Sequence, residues 1–305
     1  MRKQITIIGS TNVDFITRTE RLPAMGESVL GGVFLQTFGG KGANQAVAVA
    51  RAGGEGIFVT ALGDDLYAPV LCETFTQAGL DTRHILHRAG MSCGTALVMI
   101  DREGHNYLSV ASGANAALLP EDVDARRDLI AASALLVLQM EIPSASTARA
   151  IALAAEEGTP VLLNYAPVFD DTLPLSPAIH VLVVNEVEAS ALSGMDIISL
   201  DDARRAAAAL RRQGPRAVII TLGADGALLD GAEGQAHVPA FPITPIDTTG
   251  AGDTFCGALA VALVEGQPLA TAARFASAAA ALSVTRLGAQ PSIPWRREID
   301  MKCEE

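Results

Sequence analysis

The sequence predicts an α/β fold, a doubly wound three-layer sandwich around a mostly parallel sheet, with a small β-sheet lid. Three observations predict it. Short runs of Ile, Val and Leu alternate with helix-patterned segments through most of the chain; those runs are apolar at nearly every position; and two stretches, 12–38 and 94–110, lack helical spacing altogether. A strand apolar throughout needs helices on both faces of its sheet, and strand-helix-strand order returns parallel strands through right-handed crossovers.

The elements follow in order. "QITIIG" (4–9) reads as a buried strand, "ANQAVAVARAGG" (43–54) as a helix stopped by glycines, "GIFVTALG" (56–63) as a strand and "LYAPVLCETFTQAG" (66–79) as a helix. Further on, "ALLVLQM" (134–140), "PVLLNY" (160–165), "HVLVVN" (180–185) and "AVIITLG" (217–223) are strands, with helices at 147–158 and 201–214. The stretches 12–38 and 94–110 show β-branched alternation and turn signals at Leu22-Pro23, Gly31-Gly32 and Glu103-Gly104, and the second predicts a hairpin. The expected division is a core of 1–11, 39–93 and 111–305, and a lid of 12–38 and 94–110. So thin a sheet needs something to pack on, which points to a homodimer through the lid.

Composition narrows the function. Of 305 residues 50% are hydrophobic, enough for a sizeable core. With 34 acidic and 22 basic residues the formal charge is -12, which argues against a nucleic-acid partner, while small anions can still bind to backbone amides. Cys72, Cys93, Cys256 and Cys303 lie far apart, without metal-ligand or redox spacing. The apolar run near the start breaks at Gly9 and Ser10, shorter than a signal-peptide core, and no run approaches the ~18 apolar residues of a membrane helix. A cytoplasmic protein with reduced thiols and no membrane partner is expected.

Chemistry concentrates in "DTTGAGDTFCGALAVALVEG" (247–266). Gly250, Ala251 and Gly252 precede an apolar helix, so their N-H groups stand at its positive end and form an anion hole that a phosphate can approach closely. Asp253 then reads either as a helix cap or as the general base for an alcohol attacking the phosphorus. Phe255 stands where a dinucleotide fingerprint needs a third glycine or alanine, and "GGKGAN" offers Gly-Lys-Gly where a Walker A loop needs Gly-Lys-Ser/Thr. In "FGGKGANQAVAVA" (38–50) the glycines allow a sharp bend and Asn44 offers an amide suited to sugar hydroxyls, while Lys41 on its own reads as a solvated charge. Asn12 and Asp14 in "GSTNVD" follow the first strand, where ligands collect in open α/β sheets.

This ordered set, together with "SGANAAL" (112–118), "NEVE" (185–188), "TLGADG" (221–226) and "TRLGAQPSIPW" (285–295), resembles the ribokinase family of carbohydrate kinases, also called PfkB-type, along nearly the whole chain. The resemblance implies ATP-dependent phosphoryl transfer to a primary sugar hydroxyl, for ribose the 5-hydroxyl. It implies that Asn12, Asp14, Gly40, Lys41, Asn44 and Glu141 bind sugar, with Asp253 as base and the amides of Gly250, Ala251 and Gly252 stabilising the transferred group. Asn185, Thr221, Gly223, Gly226, Gly252 and Ser277 are implied for the nucleotide, Ser277 standing where some members carry a histidine beside adenine. Asn185 and Glu188 match the element that orders Mg²⁺, through water, although Glu188 also reads as a first-turn helix carboxylate. Asp247, Thr249, Ser283, Arg286, Gly288 and Ser292 match a K⁺ or similar monovalent-cation site built largely of carbonyl oxygens. The five histidines match no catalytic position. Related acceptors, namely 2-deoxyribose, fructose or a nucleoside, and a non-catalytic sugar or nucleotide sensor, are the alternatives.

Overall fold

A computed structural model describes residues 3–169 and 173–305; residues 1, 2 and 170–172, which belong to the expected core segments, lie outside the described residues. In chain order the strands of the first half are β1 (Gln4–Ile8), β2 (Asn12–Arg18), β3 (Val33–Gly39), β4 (Glu55–Val59), β5 (Ala61–Leu62), β6 (Leu86–His87), β7 (Gly94–Ile100) and β8 (Asn106–Ala111). The second half adds β9 (Leu135–Leu138), β10 (Val161–Asn164), β11 (Ile179–Asn185), β12 (Ala217–Thr221), β13 (Ala227–Gly231) and β14 (Gly234–Val238). The helices are α1 (Lys41–Arg51), α2 (Tyr67–Gln77), α3 (Pro120–Asp124), α4 (Arg127–Ala132), α5 (Ser144–Glu157), α6 (Glu186–Ser193), α7 (Leu200–Arg212), α8 (Ala251–Val264), α9 (Leu269–Ser283) and α10 (Arg296–Cys303).

The main sheet has eight strands in the order β14-β13-β12-β11-β10-β9-β1-β4. From β4 to β12 every pairing is parallel, while β13 and β14 add antiparallel at one edge. The apolar runs divide between two cores. Ile7, Val137, Leu162, Val183 and Ile219 pack in one layer with residues of α1, α8 and α9. Ile8, Leu138, Leu163, Val184 and Ile220 pack in the other with residues of α5 and α7. Side chains alternate across a pleated strand, so neighbours in sequence serve opposite layers, and this is why the strands lack polar alternation.

The sequence expectation of one strand over 56–63 is corrected. The chain leaves the main sheet after Val59, and β5 pairs with β6 in a separate two-stranded sheet. Thr60 marks the departure, its hydroxyl 2.9 Å from that of Thr11 in the interior.

The third sheet runs β3-β2-β7-β8, with β2 and β7 parallel and both flanking pairs antiparallel. β7 and β8 form the hairpin expected at 94–110. Phe15 of β2 meets Tyr67 of α2 edge to face and stacks on Phe34 of β3, which ties this sheet to the core.

Candidate active site

In the main sheet β1 has β4 on one side and β9 on the other, so the connections wind away from it in opposite directions. Ligands of open α/β sheets bind outside the carboxyl ends of the strands at such a point. Residues 9–12 follow β1, residues 139–141 follow β9, and Asn164 and Asn185 end β10 and β11. The entry of α1 is held against this edge. Gly40 has φ +88°, and a Cβ there would lie 2.8 Å from the Asn12 nitrogen; one on Gly42 would lie 2.5 Å from the Gly9 carbonyl carbon. Glycine is required at both positions for the backbones to touch.

Glu141 fastens the two segments together. Its Oε2 accepts from Ser10 Oγ at 2.6 Å and from the Lys41 backbone N-H at 2.9 Å. Asn12 opens β2, and Asp14 lies on the same face two residues further. Burial, reinforced by the charge of Glu141, pushes the Asp14 carboxyl up to about 7. Burial works against the charge of Lys41, but Asp253, Glu141 and Glu188 outweigh it and raise the ammonium pKa. Lys41 is therefore a cation set among carboxylates and not a solvated surface charge.

At the opposite wall Gly250, with φ +75°, starts α8 and Asp253 sits in its first turn. The capping alternative for Asp253 is not what the structure shows: α8 has no side-chain cap, and Asp253, 5% exposed, bonds to α1 instead. Asn44 Nδ2 donates to Asp253 Oδ2 at 3.0 Å and Gln45 Nε2 donates to Asp253 Oδ1 at 3.1 Å. The three amides before it are not equivalent. Ala251 N-H donates to the Thr248 carbonyl at 3.2 Å, closing a turn, and open space surrounds Gly252 where a side chain would stand.

On the nucleotide side, Asn185 and Glu188 form a reciprocal cap at the start of α6: Asn185 Oδ1 accepts from Glu188 N-H and Glu188 Oε2 from Asn185 N-H, both at 2.8 Å. The first-turn role of Glu188 is thus real, and the same carboxyl faces the site. Burial raises its pKa and Asp253 adds to the effect, against the Asn185 N-H and Lys41, which pull it down. Thr221 pairs with Asn185 across β11 and β12. Gly226 has φ +92°, and a Cβ would lie 2.1 Å from the Val238 carbonyl oxygen, so the loop after Thr221 turns where only glycine fits. Gly223 also has φ +53°. His237 Nε2 lies 2.6 Å from the Asp225 carbonyl and braces that loop. A cleft of about 300 Å³ beside it is lined by Glu186, Ile198, Ser199, Leu222, Asp225 and His237, and does not reach Asp253. Ser277 is buried within α9, which packs on α8.

The segments 247–249 and 283–292 meet beside the start of α8. Asp247 Oδ1 accepts from Thr249 N-H at 3.0 Å and Thr249 Oγ1 at 2.6 Å, and Asp247 Oδ2 accepts from Gly288 N-H at 3.0 Å. Burial disfavours the Asp247 charge, but these hydrogen bonds outweigh it and lower the pKa. The hydroxyls of Ser283 and Ser292 turn back onto the Ala280 and Ala289 carbonyls at 2.8 and 2.7 Å. The Arg286 guanidinium pairs with Glu298. Among the described residues no cluster of three or more His, Cys, Asp or Glu side chains forms a metal cage. The single Asp247 carboxylate suits a weakly held monovalent ion, and the Asn185-Glu188 pair suits a Mg²⁺ that keeps its waters.

Sequence reasoning missed four polar residues that support the site. Asn115, in the quoted "SGANAAL", accepts from Thr11 N-H at 2.9 Å and donates to Asn12 Oδ1 at 2.8 Å. Gln45, Gln139 and Asn164 form a buried amide chain ending on Asp253. The available signal was a polar residue closing an otherwise apolar strand, as in "ALLVLQ" and "VLLN".

Residues 2–296 match the model of the pfkB family carbohydrate kinases. The ribokinase of Haemophilus influenzae is 37% identical over 298 residues, covering 98% of this chain and 97% of that protein. A Salmonella typhi deoxyribokinase is 36% identical, covering 95% of each. In three dimensions the chain is similar to Arabidopsis thaliana ribokinase complexed with ribose and ATP, with TM-score 0.90, 30% identity and full coverage of both chains. The fold, the glycine-lined crevice and these likenesses agree: the chain belongs to the pfkB family of carbohydrate kinases, phosphotransferases with an alcohol acceptor.

Proposed function

We propose that the protein is an ATP-dependent kinase that phosphorylates the 5-hydroxyl of D-ribose. The observation that carries this reading is the Asp253 carboxylate, buried at the mouth of α8, fixed by two amides of α1 and facing the charge of Lys41. Asn12, Asp14, Gly40, Lys41, Asn44 and Glu141 hold the sugar, Asp14 accepting from two of its hydroxyls. Asp253 takes the proton of the attacking hydroxyl as its oxygen bonds to the γ-phosphorus and the bond to the β-phosphate oxygen breaks, releasing ADP. The amides of Gly250 and Gly252 and the Lys41 ammonium stabilise the charge on the moving group, and Ala251 N-H joins them when its turn to Thr248 opens. Asn185, Thr221, Gly223, Gly226 and Ser277 hold the nucleotide.

Asn185 and Glu188 would hold Mg²⁺ through water; when bound, the ion neutralises phosphate charge. Asp247 and Thr249, with carbonyls of Ser283, Arg286, Gly288 and Ser292, would hold K⁺, whose charge supports the loop that aims the amides. Exposed apolar residues on the small sheet, among them Leu108 at 63% and Val33 at 61%, support a homodimer through that sheet. An ATP substrate and four free thiols support a cytoplasmic setting. In that assembly the sheet is a lid that keeps water from competing with the sugar.

A panel of D-ribose, 2-deoxy-D-ribose, fructose and a nucleoside, assayed for ADP and phosphosugar with and without K⁺, tests the reading. Ribose is expected to give the highest kcat/KM, with K⁺ stimulation. A higher value for 2-deoxyribose would favour a second reading, which the similarity to the Salmonella deoxyribokinase supports. Absence of phosphosugar from every acceptor would overturn both.

A further inference from the structure

Gln45 is completely buried and uses both ends of its amide. Its Nε2 donates to Asp253 Oδ1 and to Asn164 Oδ1, each at 3.1 Å, and its Oε1 accepts from Gln139 Nε2 at 2.8 Å. Only one orientation of this chain is consistent. Asn164 Nδ2 donates to the Val183 main-chain carbonyl at 3.2 Å, so Asn164 must turn its oxygen toward Gln45. The Asp253 carboxylate likewise only accepts. A reversed Gln45 amide would set its oxygen against two acceptor oxygens and its NH₂ against that of Gln139.

The orientation has a visible cost. Gln139 Oε1 is buried without a partner, held over Gly9, where a Cβ would lie 1.9 Å from it. Leaving such an acceptor unsatisfied is unfavourable, and the other amide rotamer of Gln139 would aim its oxygen at Gln45 Oε1. The unpaired oxygen is what directing both Gln45 N-H bonds at Asp253 and Asn164 entails.

We propose that Gln45 is a positioning residue for phosphoryl transfer: oriented by Asn164 and Gln139, it fixes the plane of the Asp253 carboxylate for the arriving sugar hydroxyl. The inference rests on the reading of Asp253 as general base. Asn44 holds the other oxygen, so loss of Gln45 leaves the carboxylate on one bond, free to rotate. A misalignment of about 1 Å at a reacting group costs about a hundredfold in rate.

Four variants test this, with kcat, sugar KM, ATP KM and thermal unfolding measured on the full chain. Gln45→Met keeps the length and removes the donors. It should lower kcat ten- to a hundredfold and leave sugar KM within about threefold, a split that a merely structural defect would not give. Gln139→Glu and Gln139→Met have nearly equal size and neither touches Asp253. Gln139→Glu opposes its oxygen to Gln45 Oε1 and should lower kcat at least fivefold more than Gln139→Met, beyond any difference in unfolding temperature. Asp253→Asn separates the two readings. If Asp253→Asn keeps turnover, the base assignment fails and this inference with it. If Asp253→Asn is inactive while Gln45→Met matches the parent in kcat, or the two Gln139 variants behave alike, the positioning role alone is overturned.

Discussion

Asn115 Nδ2 donates to Asn12 Oδ1 at 2.8 Å while Asn115 Oδ1 accepts from Thr11 N-H at 2.9 Å, so Asn115 dictates which end of the Asn12 amide faces the crevice. With Oδ1 engaged, Asn12 offers its NH₂ group to the ligand, a donor suited to a sugar oxygen. Asn115→Asp would turn an acceptor toward Asn12 Oδ1 and the Thr11 carbonyl, which now receives the same NH₂ at 3.0 Å. The expected outcome is a sugar KM raised ten- to a hundredfold, kcat within about fivefold and ATP KM unchanged. Steady-state kinetics in each substrate measure the split.

The fold was legible because a parallel sheet covered on both faces writes itself as continuous apolar runs, such as "IHVLVVN" in β11. The edge hairpin of β13 and β14 was harder to see, since Asp230, Gln235 and His237 interrupt the pattern with polar residues that bond locally, Asp230 to Arg211 and His237 to the Asp225 loop. In the site, Asp253 and the glycines stood out because close approach to an anion demands small residues in one short stretch. The amides that orient Gln45, and through it Asp253, come from places 94 and 119 residues beyond Gln45, brought together only by strand order. A lone Gln or Asn at the end of a strand carries no trace of its partner. The busy Ala251 N-H was equally invisible, because turn closure by Thr248 depends on backbone angles and not on residue type.

Asp14 gives the ligand-free protein a pH dependence of unusual sign. Its folded pKa of about 7 lies above the ordinary value of 3.8, so between those limits the folded state holds more protons than the unfolded chain. Stability then falls as pH rises from about 4 to 7 and levels off above, by on the order of 4 kcal/mol for this group. Asp14→Asn should remove that slope, which urea unfolding across the range would measure. Sugar binding runs the other way. Accepting from two hydroxyls needs the ionised carboxylate, so ribose affinity should rise with pH up to about 7 and proton release should accompany binding. Calorimetry in two buffers of different ionisation heat counts the proton, and a buffer-independent heat at pH 6 would contradict the assignment.

Gly226 separates nucleotide binding from sugar binding. The left-handed backbone and the 2.1 Å approach to the Val238 carbonyl mean that Gly226→Ala must push the loop away from β14. Strain of this kind costs of order 1 to 3 kcal/mol. The variant should unfold several degrees lower and show an ATP KM raised at least tenfold, with sugar affinity, measured by calorimetry without nucleotide, close to the parent.

The pairing register puts Asp14 on the same face of the small sheet as Val33 and Leu35 of β3, Val98 of β7, and Leu108 and Val110 of β8. Of these, Leu108 and Val110 are 63% and 50% exposed, an apolar surface beside a carboxyl that the proposed reaction needs shielded from water. A second copy laying the same face across it would bury both surfaces by two-fold symmetry and would narrow the opening over the sugar. Leu108→Asp puts a charge into that contact and, in the proposed dimer, its symmetry mate as well. The expected result is a monomer in sedimentation, with the core fold retained by circular dichroism and sugar KM raised more than ATP KM. A parent chain that sediments as a monomer at micromolar concentration would instead leave this face to the sugar alone, and Leu108→Asp would then change kinetics without changing mass.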